Sequence, residues 1–259
     1  CAVFLEVAGL SWWLERRTPE PIALIPTLTG EVEYCLTCHA DLAQISPSHP
    51  VENYGCVLCH GGERLALDAD LAHSSMRGGS NPSDLSVVEQ SCGGADCHTG
   101  SAEEWRNHIE RVKSSIMATY TGAITNARYT FGAQPDLTPL YAVRAIQDTT
   151  LPSVTEILSL EEFDPASETT PELLTFAENC LGCHLWTEPL PGEAYTRFTG
   201  CAACHTPTLH LLSGEDGSEV EIHTLTTAIP YTQCNTCHYR GSYDVPTLTF
   251  TERPNHPES

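Results

Sequence analysis

Cys35-Leu-Thr-Cys38-His39, Cys56-Val-Leu-Cys59-His60, Cys180-Leu-Gly-Cys183-His184, Cys201-Ala-Ala-Cys204-His205 and Cys234-Asn-Thr-Cys237-His238 repeat one pattern: two cysteines three positions apart, with histidine directly after the second. A wider copy, third in chain order, runs Cys92-Gly-Gly-Ala-Asp-Cys97-His98. Two thiols about one helical turn apart can add to the two vinyl groups of one haem, while the next residue's imidazole reaches the iron from the same side. The pattern predicts six covalent c-type haems. Their thioether anchors are Cys35, Cys38, Cys56, Cys59, Cys92, Cys97, Cys180, Cys183, Cys201, Cys204, Cys234 and Cys237; their proximal ligands are His39, His60, His98, His184, His205 and His238. In the wide copy two extra residues must loop out between the sulfurs, and Gly93-Gly94 is expected to give the backbone freedom for that bulge.

Zinc and disulfides are the competing uses of paired cysteines. Four-thiolate zinc sites do not need histidine directly after the second cysteine, yet it follows in all six copies. A disulfide framework explains the pairing but leaves the same histidines without a purpose. Six histidines lie outside the motifs, His49, His73, His108, His210, His223 and His256, which equals the number of distal ligands that six irons need. Methionine cannot replace them broadly, because Met76 and Met117 are the only two. Met76, the amino group of Cys1 or a neighbouring subunit remain alternatives at one site. An iron with imidazole on both faces has no open position for substrate, so the expected role is electron transfer and not catalysis, at potentials below those of His/Met cytochromes.

Composition agrees with a chain organised around a cofactor. Of 259 residues only 41% are hydrophobic, with 18 glycines and 18 prolines, a thin core for this length. The net charge of −22 argues against nucleic acid or an anionic membrane surface as partner. Lys113 is the one lysine, which makes amine chemistry such as a Schiff base improbable.

Motif starts at 35, 56 and 92 are echoed at 180, 201 and 234, hinting at a three-haem unit used twice. The expected organisation is an N-terminal helix or anchor segment over 1–30, a first three-haem unit over 31–108, a haem-free helical connector over 109–179 without cysteine or histidine, and a second three-haem unit over 180–259. The expected fold class is mostly α and irregular, short helices and long loops wrapped around a chain of haems, with little β. Ser101-Ala-Glu-Glu104 has the form of a capping box, and Trp105, Ile109, Val112, Ile116 and Met117 follow at helical spacing, predicting a helix over 102–120 with His108 on one side. Thr138-Pro139 predicts a second helix through Leu140, Val143 and Ile146, Ser153 with Glu156 a third, and Thr170-Pro171 a fourth ending at Cys180.

Cys1 opens an apolar stretch with Trp12-Trp13 and Arg16-Arg17 that is too short to span a bilayer. Three readings stand: an acylated first residue of a bacterial lipoprotein, part of a longer anchor helix, or an ordinary packed helix. Near the other end His256 lies between Pro254 and Pro257, which favour extended backbone. It either reaches the iron of a neighbouring copy or folds back onto its own chain.

With these residues in hand, the chain resembles the multihaem c-type cytochromes of anaerobic metal-reducing bacteria. The resemblance rests on the six Cys/His motifs and, more loosely, on Ser115-Ile-Met-Ala-Thr119 with Gly122 and Tyr129, and on the stretch from Thr224 to Gly241. The spacing from Cys92 to His98 departs from the family pattern. The resemblance implies covalent haem attachment outside the cytoplasm, in a periplasmic, outer-surface or extracellular protein. It also implies a conduit to redox partner proteins or extracellular acceptors, as a lipoprotein or as a haem-stacked filament built from copies of the chain. A haem subunit of a quinol-oxidising membrane complex and a multihaem reductase with one open iron are the other roles the class offers.

Overall fold

The computed structural model describes residues 19–42, 45–79, 81–101, 103–146, 160–181, 184–186, 198–206, 224–231, 233–234, 241–244 and 249–252. The chain divides into two compact units, Cys1–Met76 and Arg77–Ser259. This division follows packing and falls inside the segment 31–108 that motif spacing alone marks out.

In the first unit, α1 (Val51–Tyr54) and α2 (Val57–His60) follow one another across Gly55, and α3 (Ala69–His73) comes after a loop. The turn after Pro26 is held on α1 by the Thr27 and Leu28 amides, which donate to the carbonyls of Glu52 and Asn53. Gly55 is required where it stands. Its φ is +67°, and a Cβ there would lie 2.4 Å from Pro26 Cγ and 2.6 Å from Glu33 Oε1. The loop carrying α3 is pinned at its base, where the Gly62 and Glu63 amides donate to the carbonyls of Ser75 and Ala72. Asp68 caps α3 by accepting from the Leu71 amide at 3.0 Å.

The second unit holds α4 (His108–Lys113), α5 (Ile116–Thr119), α6 (Thr121–Thr130), α7 (Pro171–Cys180) and α8 (Ala202–His205). Its strands are short: β1 (Tyr141–Ala142) runs parallel to β2 (Glu161–Glu162), and β3 (Gly241–Asp244) pairs antiparallel with β4 (Thr249–Glu252). One apolar cluster gathers Leu85, Val88, Ile109 and Ala118; a second gathers Ile124, Ala127, Val143, Phe163, Leu173 and Phe176. Trp186 packs against both, so the stretch after the fourth motif shares its core with residues 85–118. Arg128, 9% exposed, ties the middle of the unit together. It pairs with Glu168, donates to Gln134 and the Ala133 carbonyl, and lies 4.4 Å over the Tyr141 ring.

Two helix expectations are corrected. The single helix over 102–120 is a 3-10 turn at Glu104–Arg106 followed by α4 and α5. Asn107 outcompetes the capping box: its side chain accepts from the Glu110 amide, and the His98 carbonyl accepts from the His108 and Ile109 amides. Ser115 is extended, with ψ 157°, and splits α4 from α5. The helix expected after Thr138-Pro139 is the strand β1. Gln134 Nε2 donates to the carbonyls of Asp136 and Thr138, and the Thr138 amide donates to Asp136, which fixes a loop where a helix would start. The fourth helix is found as α7, with Pro171 in its first turn. The third falls in 147–159, outside the described residues.

Candidate functional site

The cysteine/histidine motifs are delivered by short turns whose frames come from elsewhere in each unit. Cys35 begins a 3-10 turn at Cys35–Thr37, and the His39 amide closes it on the Cys35 carbonyl at 3.1 Å. Cys56 stands just before α2, which carries Cys59 and ends at His60. Cys201 and α8 repeat that arrangement, with the His205 amide donating to the Cys201 carbonyl at 3.0 Å. One turn of helix therefore spaces the two thiols and presents the imidazole after them.

Glu33 sets the frame of the first two motifs. Its carboxylate, 2% exposed, accepts from the Cys56 amide at 2.7 Å and the Val57 amide at 3.3 Å, capping α2 from a distant segment. Glu33, Cys35 and Cys56 bring their donor atoms within 4.8 Å of one another. Three donors fall short of the four that structural zinc takes, and Glu33 is already committed to backbone amides. The interaction between the two neighbouring thiols pulls the Cys35 thiol below its ordinary value and raises that of Cys56.

Two non-motif histidines face motif histidines. The ring centres of His39 and His73 are 6.0 Å apart, and those of His98 and His108 are 5.6 Å apart. Imidazoles on opposite faces of one metal have ring centres about 6 Å apart, from a bond of about 2 Å plus about 1 Å to each centre. The first pair forms because α3 is folded back by the Gly62–Ser75 and Glu63–Ala72 bonds while Tyr34 donates to the Arg64 carbonyl. The second forms in a tight return between Thr99 and Asn107, where a Cβ on Gly100 (φ +81°) would lie 2.6 Å from Asn107 Cβ. Exposed apolar side chains accompany these pairs: Leu65 and Leu71 on the loop and helix that carry His73, and Trp105, 62% exposed, with its ring centre 6.5 Å from that of His108. Such surface suits a large apolar ring.

His205 and His49 show how the remaining imidazoles are oriented. His205 Nδ1 lies 2.8 Å from the Thr226 carbonyl, and the Thr226 amide donates back to the His205 carbonyl at 2.8 Å. A proton on Nδ1 leaves Nε2 as the ligand atom, the usual outer-shell arrangement of a metal-bound histidine. Gln233 Nε2 donates to the carbonyls of Ala203 and Thr206, so the segment that fixes His205 also delivers Cys234. His49 Nδ1 meets the hydroxyls of Ser46 and Ser48 at 3.2 and 3.1 Å, and burial lowers its pKa. His184, 8% exposed, lies 4.2 Å from the ring of Tyr120, which holds φ +56° between α5 and α6 and stacks on Phe176.

Motifs three and five share a second frame. Ser83 accepts from the Cys201 amide with its carbonyl and from the Ala202 amide with its hydroxyl, and that hydroxyl donates to Asn81 Oδ1 and the Thr199 carbonyl. Asn81 also donates to Thr199, whose hydroxyl donates to Asp84 at 2.5 Å. Burial raises the Asp84 pKa, but the bonds from Ser86 and Thr199 outweigh it and hold the carboxyl below its usual range. The neighbouring Cys201 thiol holds the Cys92 thiol at about 7 against the opposing effect of burial.

The bulge of the wide motif differs from expectation. Its left-handed residues are Ala95 (φ 52°) and Asp96 (φ 59°), whereas Gly93 has ordinary right-handed helical backbone. Gly93 is needed for space: a Cβ would lie 2.6 Å from the Glu89 carbonyl oxygen and 2.9 Å from Ile109 Cδ1. Because a left-handed alanine is strained, Ala95→Gly is expected to stabilise the chain by up to about 1 kcal/mol, measured as a rise in the denaturant midpoint. A fall in that midpoint would count against the bulge as described.

No family model, no curated protein and no solved structure matches this chain. Cys1, Cys183, Cys237, His238, His210, His223 and His256 lie outside the described residues, as does most of the N-terminal segment. No helix among the described residues is long and apolar enough to cross a membrane. Sequence reasoning missed Glu33, Ser83, Thr226 and Gln233, because an isolated polar residue far from a motif carries no spacing signal.

Proposed function

We propose that this chain is an electron-transfer protein that holds six c-type haems, one on each Cys/His motif, and works outside the cytoplasm as a surface or extracellular conduit. The observation that carries this reading is the sixfold repeat of paired cysteine and histidine, supported by the facing pairs His39/His73 and His98/His108. Bound at these positions, haem supplies one-electron exchange at an iron with no vacant coordination site.

The chain's own residues do the rest. Two cysteines in each motif fix one edge of the ring, and the following histidine fixes one face. His73 and His108 close the opposite faces at the first and third motifs. In the first unit that assigns His49 to the second motif, with Ser46 and Ser48 holding its Nδ1 so that Nε2 is presented. His210, His223 and His256 are the distal candidates for motifs four, five and six. Assembly of copies into a filament is a finer part of the same proposal, resting on the resemblance. The acidic surface suits a chain that does not bind nucleic acid.

A haemochrome assay against protein concentration, with intact mass, is expected to give six haems per chain. Five or fewer would remove the wide Cys92–Cys97 site from the set. Rapid carbon monoxide binding to the reduced protein at native pH would show an open iron and favour a multihaem reductase.

A further inference from the structure

We propose that the first cysteines of motifs one and two, Cys35 and Cys56, and those of motifs three and five, Cys92 and Cys201, form two shared corners at which neighbouring haems are anchored, so that the order of haems in space departs from the order of motifs in sequence. This rests on the haem reading above and adds to it which haems are neighbours.

Cys35 and Cys56 stand with Glu33 in one cluster whose donor atoms all lie within 4.8 Å of each other. Cys92 and Cys201 pack against the same cluster of Leu85, Val88, Ile109 and Ala118. These contacts are built and not incidental. Glu33 fixes Cys56 through its amide and thereby holds α2 against the turn that carries Cys35. Ser83 fixes Cys201 through its carbonyl and Ala202 through its hydroxyl, on a segment that leads through Leu85 and Val88 to Cys92.

A thioether sulfur sits two bonds from the conjugated ring that it anchors. Cysteines packed this close therefore bring the edges of two rings together, and electron tunnelling falls exponentially with the gap between edges. One electron crossing such a corner oxidises one iron and reduces its neighbour, with no atom or proton transferred. Motif three thus takes its near neighbour from motif five, past motif four in sequence. A disulfide is the other product that neighbouring thiols could give, but it would take one thioether from each of two haems.

The test uses the full haem-loaded chain. Intact mass comes first, and six haems with no disulfide are expected. Electron paramagnetic resonance of the fully oxidised protein then reads magnetic coupling between close low-spin irons. Removing the fifth haem with Cys201→Ala and Cys204→Ala is expected to release one isolated low-spin signal per chain from the haem on Cys92 and Cys97. Removing the fourth with Cys180→Ala and Cys183→Ala is expected to leave that signal coupled. Release by the fourth deletion and not by the fifth would overturn the proposal.

Because either deletion can block maturation, electron cryomicroscopy of the wild-type protein gives an independent arm. Adjacent sulfurs at Cys35/Cys56 and Cys92/Cys201 are expected, and sulfurs a haem's width apart would overturn the pairing while leaving six haems in place. A wild-type mass without haem would overturn both this proposal and the function it rests on.

Discussion

His73→Ala is expected to leave all six haems attached and to convert one of them from low-spin to high-spin, with carbon monoxide then binding once per reduced chain. The argument runs from geometry. His39 and His73 have ring centres 6.0 Å apart with the planes at 60°, a separation that fits one metal between two imidazoles and is too wide for direct stacking. Removing His73 leaves Cys35, Cys38 and His39 untouched, so attachment persists while one coordination position opens. A double variant gives the sharper result. In a chain with Cys35→Ala and Cys38→Ala, adding His73→Ala is expected to create no new high-spin haem, since its iron is already gone. A new high-spin signal in that background would assign His73 to a different motif. An unchanged spectrum in the single variant would make His73 structural.

The motifs were legible in the sequence because they keep a fixed spacing, and spacing is what a sequence displays best. Which histidines face them was not. His73 reaches His39 only because the loop after Gly62 folds back through bonds from the Gly62 and Glu63 amides, and backbone bonds leave no mark on residue identity. The helix expected over 102–120 failed for a related reason. Its apolar spacing was real, but Asn107 and Ser115 each offered the backbone a better local alternative and broke it into a 3-10 turn, α4 and α5. The helix ending at Cys180 was legible because Thr170-Pro171 marks its start. Composition foretold a thin core, and the described core is two modest clusters with large apolar side chains such as Trp105 and Leu71 left open. Those exposed groups are the surface on which covalently held rings would complete the packing.

Gly200→Ala is expected to be the most damaging single substitution of a non-motif residue in the second unit. Gly200 holds φ +62°, where an alanine costs about 1–2 kcal/mol, and its Cβ would lie 1.9 Å from the Ser83 carbonyl oxygen. That oxygen accepts the Cys201 amide, and the neighbouring hydroxyl accepts the Ala202 amide, so the obstruction falls on the bonds that seat motif five. No flexible side-chain end is there to yield, because the obstructing atoms belong to backbone at Ser83 and Asp84. Overpacking of this kind adds about 1–3 kcal/mol, giving about 2–5 kcal/mol in all. The seat of motif five and its contact with Cys92 are then lost together. The expected readout is a lowered haem content, with the loss mapped by peptide mass to Cys201/Cys204, and a fall in the denaturant midpoint of whatever protein matures. Ser83→Ala provides the graded control: it keeps the carbonyl and removes only the hydroxyl, so it is expected to cost about 1–3 kcal/mol and to retain all six haems. Full haem content and an unshifted midpoint in Gly200→Ala would mean that motif five is not seated on Ser83.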